Sequence, residues 1–201
     1  ESGGEFWTRV DQGSIPAPLA GEKGIADGFA VSGDNVWFTT NMGRVFSSYN
    51  SGQTWTVQQT PITGPCIVEF KNPGDGLLIS KDNNEIYRTN DGGNTWNPVS
   101  WSGPLRSHDL KYVPGTSGIY VATGISGGDA GLSYTLDDGD TWVSMPYTYG
   151  IHFGAMDWIN TTTGFIGANN FDENEGGMWK YTGTDLVEYS VSWSPQNPEE
   201  N

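Results

Sequence analysis

The sequence predicts an all-β chain built as a β-propeller of about four blades, and three observations carry that expectation. Tryptophans close short Gly-rich turns at Trp7, Trp55, Trp96 and Trp142, at spacings of 48, 41 and 46 residues, the length of one four-stranded blade. Ahead of each of the last three run three short segments rich in apolar and β-branched residues, so that the strand begun by the tryptophan makes four. The 29 glycines and 11 prolines are spread along all 201 residues, which suits many short strands and leaves no room for a long helix.

In chain order, the first repeat has candidate strands at Gly28-Phe29-Ala30, Asn35-Val36-Trp37-Phe38 and Arg44-Val45-Phe46-Ser47. The second has Val68-Glu69-Phe70, Gly76-Leu77-Leu78-Ile79 and Glu85-Ile86-Tyr87-Arg88, and the third Leu110-Lys111-Tyr112, Gly118-Ile119-Tyr120-Val121 and Leu132-Ser133-Tyr134. Each ends in one box of residue types: Ser48, Asn50, Gly52, Thr54 and Trp55; then Thr89, Asp91, Gly93, Thr95 and Trp96; then Thr135, Asp137, Gly139, Thr141 and Trp142. The types suit a hairpin, because the Asp or Asn side chain accepts backbone N–H bonds, Gly takes a positive φ, and Thr-Trp starts the outgoing strand. These residues are therefore read as structural.

A fourth repeat runs through Met156-Asp157-Trp158, Gly164-Phe165-Ile166-Gly167 and Met178-Trp179-Lys180-Tyr181, but its box has decayed to Thr182-Gly183-Thr184-Asp185-Leu186, as in a terminal repeat. The propeller region is expected over residues 1–191, with blades at about 25–60, 66–101, 107–147 and 153–191 and a polar, Pro-rich tail or linker at 192–201. Residues 5–11 look like the outer strand of a preceding blade. They either close a small ring or mark the chain as the C-terminal part of a larger propeller, and the second is the expectation.

A net charge of −15 repels phosphate backbones and anionic membrane faces, which argues against nucleic acid, and no apolar stretch approaches the ~20 residues of a membrane span. Cys66 is the only cysteine, so no disulfide forms within the chain; its apolar neighbours Ile67 and Val68 suggest a buried thiol in a strand.

The three boxes resemble the Asp-box, or bacterial neuraminidase repeat, of sialidases, sortilin-type receptors, xyloglucan-hydrolysing propellers and photosystem assembly factors. The phrases Val36-Trp37-Phe38-Thr39, Val113-Pro114-Gly115-Thr116, Thr163-Gly164-Phe165-Ile166-Gly167 and Gly176-Gly177-Met178-Trp179-Lys180 further resemble extracellular propellers exported by the type IX secretion system. That resemblance implies a secreted or cell-surface protein, with secretion machinery engaged through a sorting domain outside this chain.

Enzyme chemistry has weak support in the residues. A sialidase implies three arginines around a carboxylate, whereas Arg9, Arg44, Arg88 and Arg106 are all there are, and Arg44 and Arg88 fall on third strands. A xyloglucanase-like glycoside hydrolase needs two carboxylates ~5–9.5 Å apart, and the candidates on innermost strands are Asp27, Glu69, Asp109 and Asp157, with no pair assignable. His108 and His152 open innermost strands; Asp109 beside His108 points to the opposite face of its strand, so the two are no dyad. Calcium is weighed only at Asp172–Gly176 and in the turn Asp137-Asp138-Gly139-Asp140, and a solvated acidic loop is the preferred account of both. The expected function is a non-catalytic interaction or display module for a glycan or protein. Trp101, Tyr147, Tyr149 and Trp193, in loops and tail, are its ligand candidates, and no catalytic residue, resident cofactor or metal ligand is assigned.

Overall fold

The computed structural model of the chain describes residues 7–125, 130–146, 152–169, 177–183 and 186. They form four antiparallel sheets in sequence order, the blades of a β-propeller, joined without helices other than one 3-10 turn at Gln12–Ser14. Blade one is β1 (Gly24–Ser32), β2 (Asn35–Thr40), β3 (Arg44–Ser48) and β4 (Thr56–Gln59). Blade two is β5 (Cys66–Phe70), β6 (Gly76–Ser80), β7 (Ile86–Thr89) and β8 (Asn97–Pro98). Blade three is β9 (Asp109–Tyr112), β10 (Tyr120–Gly124), β11 (Gly131–Thr135) and β12 (Trp142–Met145). Blade four shows β13 (His152–Asn160), β14 (Thr163–Asn169) and β15 (Gly177–Lys180). In every blade the neighbours in sequence pair in order, so each is a meander in which the first strand lies innermost.

Register explains how the blades stack. Val68 pairs with Leu78 and Leu78 with Tyr87, while on the opposite face Ile67 pairs with Ile79 and Ile79 with Ile86. Both faces of this sheet are therefore apolar, and both are covered. Cys66, Val68, Phe70, Leu78 and Trp96 pack on Ala30, Trp37 and Val45 of blade one, while Ile67, Leu77, Ile79 and Ile86 pack on Leu110, Tyr120, Ala122 and Trp142 of blade three. The next interface sets Ile119, Val121, Leu132 and Met145 against Phe153, Met156, Trp158 and Ile166 of blade four. Among the described residues the core thus consists of three slabs, one between each pair of successive blades.

The turns after β3, β7 and β11 share one hydrogen-bond plan. The hydroxyl of Ser48, Thr89 or Thr135 accepts the N–H of Gly52, Gly93 or Gly139 at 2.9, 2.9 and 3.0 Å. Oδ1 of Asn50, Asp91 or Asp137 accepts the N–H of Thr54, Thr95 or Thr141 at 2.9, 2.9 and 2.8 Å. Trp55 and Trp142 donate from Nε1 to Gly52 O and Gly139 O, both at 3.0 Å. Gly139 has φ 95°, and a Cβ there would stand 3.2 Å from Cδ1 of Leu77 in the preceding blade, so the position favours glycine on both counts.

Because Thr135 is fully buried, Thr135→Val is expected to strand the Gly139 N–H and lower stability by about 1–3 kcal/mol, read as a fall in the urea midpoint at constant m. An unchanged midpoint would mean that the turn holds without its hydroxyl.

Residues 7–11 belong to no strand and Trp7 is 96% exposed; of the outer strand expected over 5–11 for a blade ahead of the first, residues 5 and 6 lie outside the described residues. Asp11 instead caps the 3-10 turn by accepting from Gly13 N at 3.2 Å. In the fourth blade, Leu186 N donates to Thr161 O at 3.1 Å and its side chain is buried, while the remainder of the segment expected to follow lies outside the described residues.

Candidate functional site

The innermost strands of all four blades converge on one cleft of about 410 Å³, lined by Asp27, Phe29 and Val31 of β1, Glu69 of β5, Asp109 and Lys111 of β9, and Asp157 of β13. The period-2 pattern of a strand explains the gathering: Asp27, Phe29 and Val31 share one face of β1, and Asp109 and Lys111 share one face of β9. All four innermost-strand acids singled out in the sequence line this single space. Lys111 was not singled out, although its place two residues after Asp109 was a usable signal. Lys81, which reaches in from the β6–β7 turn, left no such signal in the sequence.

The charges are interleaved. Lys111 Nζ lies 3.6 Å from Glu69 Oε2 and 3.7 Å from Asp109 Oδ1, and it also sits over the Phe29 ring, 5.3 Å from the centroid. Asp109 is committed to the backbone: Oδ1 accepts from Leu110 N at 2.9 Å and Oδ2 from Met156 N at 2.9 Å, so its carboxylate fastens β9 to β13. Asp27 faces Lys81 Nζ at 3.7 Å and His108 Nε2 at 3.9 Å. Asp157 is exposed at the rim and accepts from its own neighbour, Trp158 N, at 2.8 Å.

Burial sets the protonation states. Desolvation pushes the Glu69 carboxyl up to about 8, against the pull of the Lys111 ammonium and a hydrogen bond from the Tyr112 backbone. Asp109 is raised for the same leading reason, again opposed by Lys111 and by its backbone bonds. Burial and the neighbouring Lys81 hold the His108 imidazole below its ordinary value, so its approach to Asp27 is no ion pair at neutral pH. His108 meets Asp27 of another blade rather than the adjacent Asp109. Only the backbone of His152, the first residue of β13, is described.

The other candidates fall elsewhere. Trp101, expected as an exposed ligand contact, is half-buried: its Nε1 donates to Asn84 O at 3.1 Å and its ring packs against the core between blades two and three. An apolar ring beside a buried slab is worth more packed than presented. Tyr147, Tyr149 and Trp193 lie outside the described residues, as does Asp172–Gly176.

The turn at Asp137–Asp140 has its oxygens engaged. Asp137 carries the hairpin bonds, both Asp138 oxygens lie 2.8 Å from Lys71 Nζ, and Asp140 Oδ1 lies 2.8 Å from Arg88 Nη2. Among the described residues no group of three or more His, Cys, Asp or Glu is arranged to hold a metal ion. Arg44 is buried against Glu22 at 3.0 Å on blade one, so Arg44 and Arg88 both stand away from the cleft. Cys66 is buried, and desolvation pushes its thiol up to about 12, which leaves it unreactive.

No protein-family model matches the sequence, and no curated protein matches it. Solved structures do. The chain is similar to a GH74 xyloglucanase from Xanthomonas campestris, with TM-score 0.57 and 17% identity over 78% of this chain and 29% of that one. It is also similar to the GH74 enzyme of Niastella koreensis, with TM-score 0.54 and 18% identity over 77% and 23%. A third likeness is to YCF48 bound to D1 peptide, with TM-score 0.50 and 19% identity over 71% and 45%. The chain spans less than half the length of each. At such identities the likeness is one of fold, and the fold it establishes is the β-propeller.

Proposed function

We propose that the chain is a non-catalytic binding module of an exported Asp-box propeller and that its central cleft takes a cationic segment of a protein partner. The observation that carries this reading is Asp157. It is exposed at the rim of a cleft fed by four innermost strands, beside the apolar Phe29 and Val31, and among the described residues no Lys, Arg or His nitrogen lies within 4 Å of it. Asp27 already faces an ammonium group of the chain itself, that of Lys81, which is the chemistry a Lys or Arg side chain would meet there. A net charge of −15 steers cationic partners toward the surface. YCF48, a propeller similar in fold, is known bound to a peptide, which makes peptide binding a reasonable use of this scaffold.

Titrating a Lys- and Arg-rich peptide by calorimetry tests the reading. Asp157→Asn is expected to weaken binding about tenfold, the worth of one charge-assisted hydrogen bond, and higher salt should weaken it further. Affinity that ignores both changes would rule out the cleft. Binding of xyloglucan oligosaccharides in place of the peptide would make the partner a glycan.

A glycoside hydrolase is the second reading, favoured by one observation: Glu69 holds its proton through neutral pH beside Asp109, and their shared neighbour Lys111 keeps the two carboxyls within the ~9.5 Å limit of a catalytic pair. Against it, Asp109 is almost wholly buried and both its oxygens serve backbone N–H groups. Release of reducing ends from xyloglucan, lost in Glu69→Gln, would establish it.

Membership of the Asp-box family is supported by the common hydrogen-bond plan of the three turns. Export by type IX machinery, a cell-surface or secreted location, and a larger parent propeller belong to the same proposal. The intact mass of the native protein with its terminal peptides tests them: blades ahead of Glu1 and a sorting domain after Asn201 are expected.

A further inference from the structure

Blade two departs from its neighbours at one place on its outer rim. The residue just before the box Ser or Thr is Ser47 in blade one and Tyr134 in blade three, but Arg88 in blade two. Arg88 pairs across the sheet with Asn97, so the two side chains stand together on the face turned to blade three. The outer strand is also shorter here, two residues at Asn97–Pro98 against four in β4 and β12, and Pro98 has no N–H with which to extend the ladder. Between this short edge and the box turn of blade three lies a cleft of about 390 Å³, lined by Arg88, Asn90, Asn97, Pro98, Ser100 and Asp140 among others. Its size is that of small-molecule sites, which begin near ~300 Å³. Two consecutive blades form it, so neither end of the chain is needed to build it.

The guanidinium is held in place. Nε and Nη2 of Arg88 donate to Asp138 O at 3.2 and 2.6 Å, and Nη2 also donates to Asp140 Oδ1 at 2.8 Å. Arg88 Nη1, Asp140 Oδ2, the side-chain amides of Asn90 and Asn97 and the Ser100 hydroxyl have no hydrogen-bond partner among the described residues. The cleft therefore presents unused donors and acceptors together, and the charges of Arg88 and Asp140 cancel. A phosphate or carboxylate ligand would meet the Asp140 carboxylate, and an ammonium ligand the Arg88 guanidinium. A neutral sugar meets neither difficulty. Each of its hydroxyls both donates and accepts, neighbouring hydroxyls match a guanidinium N–H set beside a carboxylate oxygen, and its C–H face can lie against the exposed Pro98 ring. Nor does the box itself call for this pair, since blade one has Ser47 and blade two Asn94 at the corresponding places of the preceding interface.

We propose that this rim cleft binds a neutral sugar unit of a polysaccharide. The site is separate from the central cleft and does not depend on the cationic partner assigned there.

Amide shifts of the isotope-labelled chain, followed during titration with cellotetraose, xylotetraose and mannotetraose, test the site. At least one of these is expected to bind with a dissociation constant of about 1 mM or tighter and to move the Asn97, Ser100 and Asp140 amides. Asn97→Ala should weaken that binding about fivefold, the worth of one neutral hydrogen bond, and Asp157→Asn in the central cleft should leave it unchanged. The Asn97 side chain is exposed and holds nothing else in place, so the variant should keep the melting temperature of the parent and its loss of binding is not a loss of folding. Tetragalacturonate, the charged counterpart, should bind more weakly than the best neutral sugar. The site is overturned by silence with all the neutral sugars at about 10 mM, by shifts confined to the central cleft, by tetragalacturonate binding as tightly, or by binding that Asn97→Ala leaves intact.

Discussion

Trp142→Ala is expected to lower the unfolding free energy by ~3–5 kcal/mol, whereas Trp55→Ala, at the same place in its own repeat, should cost clearly less. Trp142 is 2% exposed and wedged in the slab formed by Ile67, Leu77, Ile79 and Ile86 of blade two, so truncation removes an aromatic ring and leaves a cavity that close-packed neighbours cannot fill. Its Nε1 bond to Gly139 O goes with it, loosening the turn that docks on Leu77. Trp55 has the same Nε1 bond, to Gly52 O, but its ring is only half-buried, edge-on to Phe38, so less cavity is created. Chemical denaturation of the two variants measures the difference through the midpoint at constant m. Equal losses would mean that the box tryptophan acts within its own hairpin and that blade stacking contributes little.

The contrast bears on what could be read from the sequence. The blades were legible because each is written in local chemistry: turn residues at fixed offsets, alternating apolar strands, and a tryptophan at the same phase. Cys66–Phe70 and Gly76–Ser80 could be anticipated from such patterns within a residue or two. Trp7 was less legible, because Ser2 and Phe6 stand where the other repeats have the box Asp or Asn and the box Thr, and residues 1–6 lie outside the described residues.

The candidate site was half legible. Position in the first segment of each repeat put Asp27, Glu69, Asp109 and Asp157 on innermost strands, and the propeller brings every such strand to one place. The roles of the four depend on what crosses between blades, which no local pattern records. Asp109 is spent on Met156 N, 47 residues away, and Lys81 arrives from a turn to face Asp27, 54 positions earlier in the chain. Trp101 shows a related limit of local pattern. A loop position says nothing of whether a ring folds back onto the core, and this one does.

Those cross-blade contacts give the cleft a pH dependence whose sign can be worked out. Glu69 is raised in the folded chain to about 8, against ~4.3 in an unfolded one. Below pH ~4.3 both states hold the proton and the contribution of this group is complete. Between ~4.3 and 8 the unfolded chain sheds the proton while the folded one retains it, so stability falls as pH rises, and above 8 the loss is finished. Asp109, also raised, acts in the same sense above the ordinary Asp range. Asp91 and Asp137 act oppositely. Burial alone would raise them, but bonds from the Thr95 and Thr141 backbone and from the box hydroxyls hold them below the ordinary value, so their contribution is present at neutral pH and lost as pH falls through their folded values. Stability should therefore peak on the acid side of neutrality, near pH 4–5, and decline toward pH 8. Glu69→Gln keeps an acceptor for the Tyr112 N–H but cannot ionise, and it should recover on the order of 3 kcal/mol at pH 8 relative to the parent while changing little at pH 4.5. Urea midpoints at the two pH values decide the matter. A variant that gains nothing at pH 8 would mean that Lys111 keeps Glu69 ionised in the folded chain, and the cleft would then hold one more fixed anion for a cationic ligand than its burial allows.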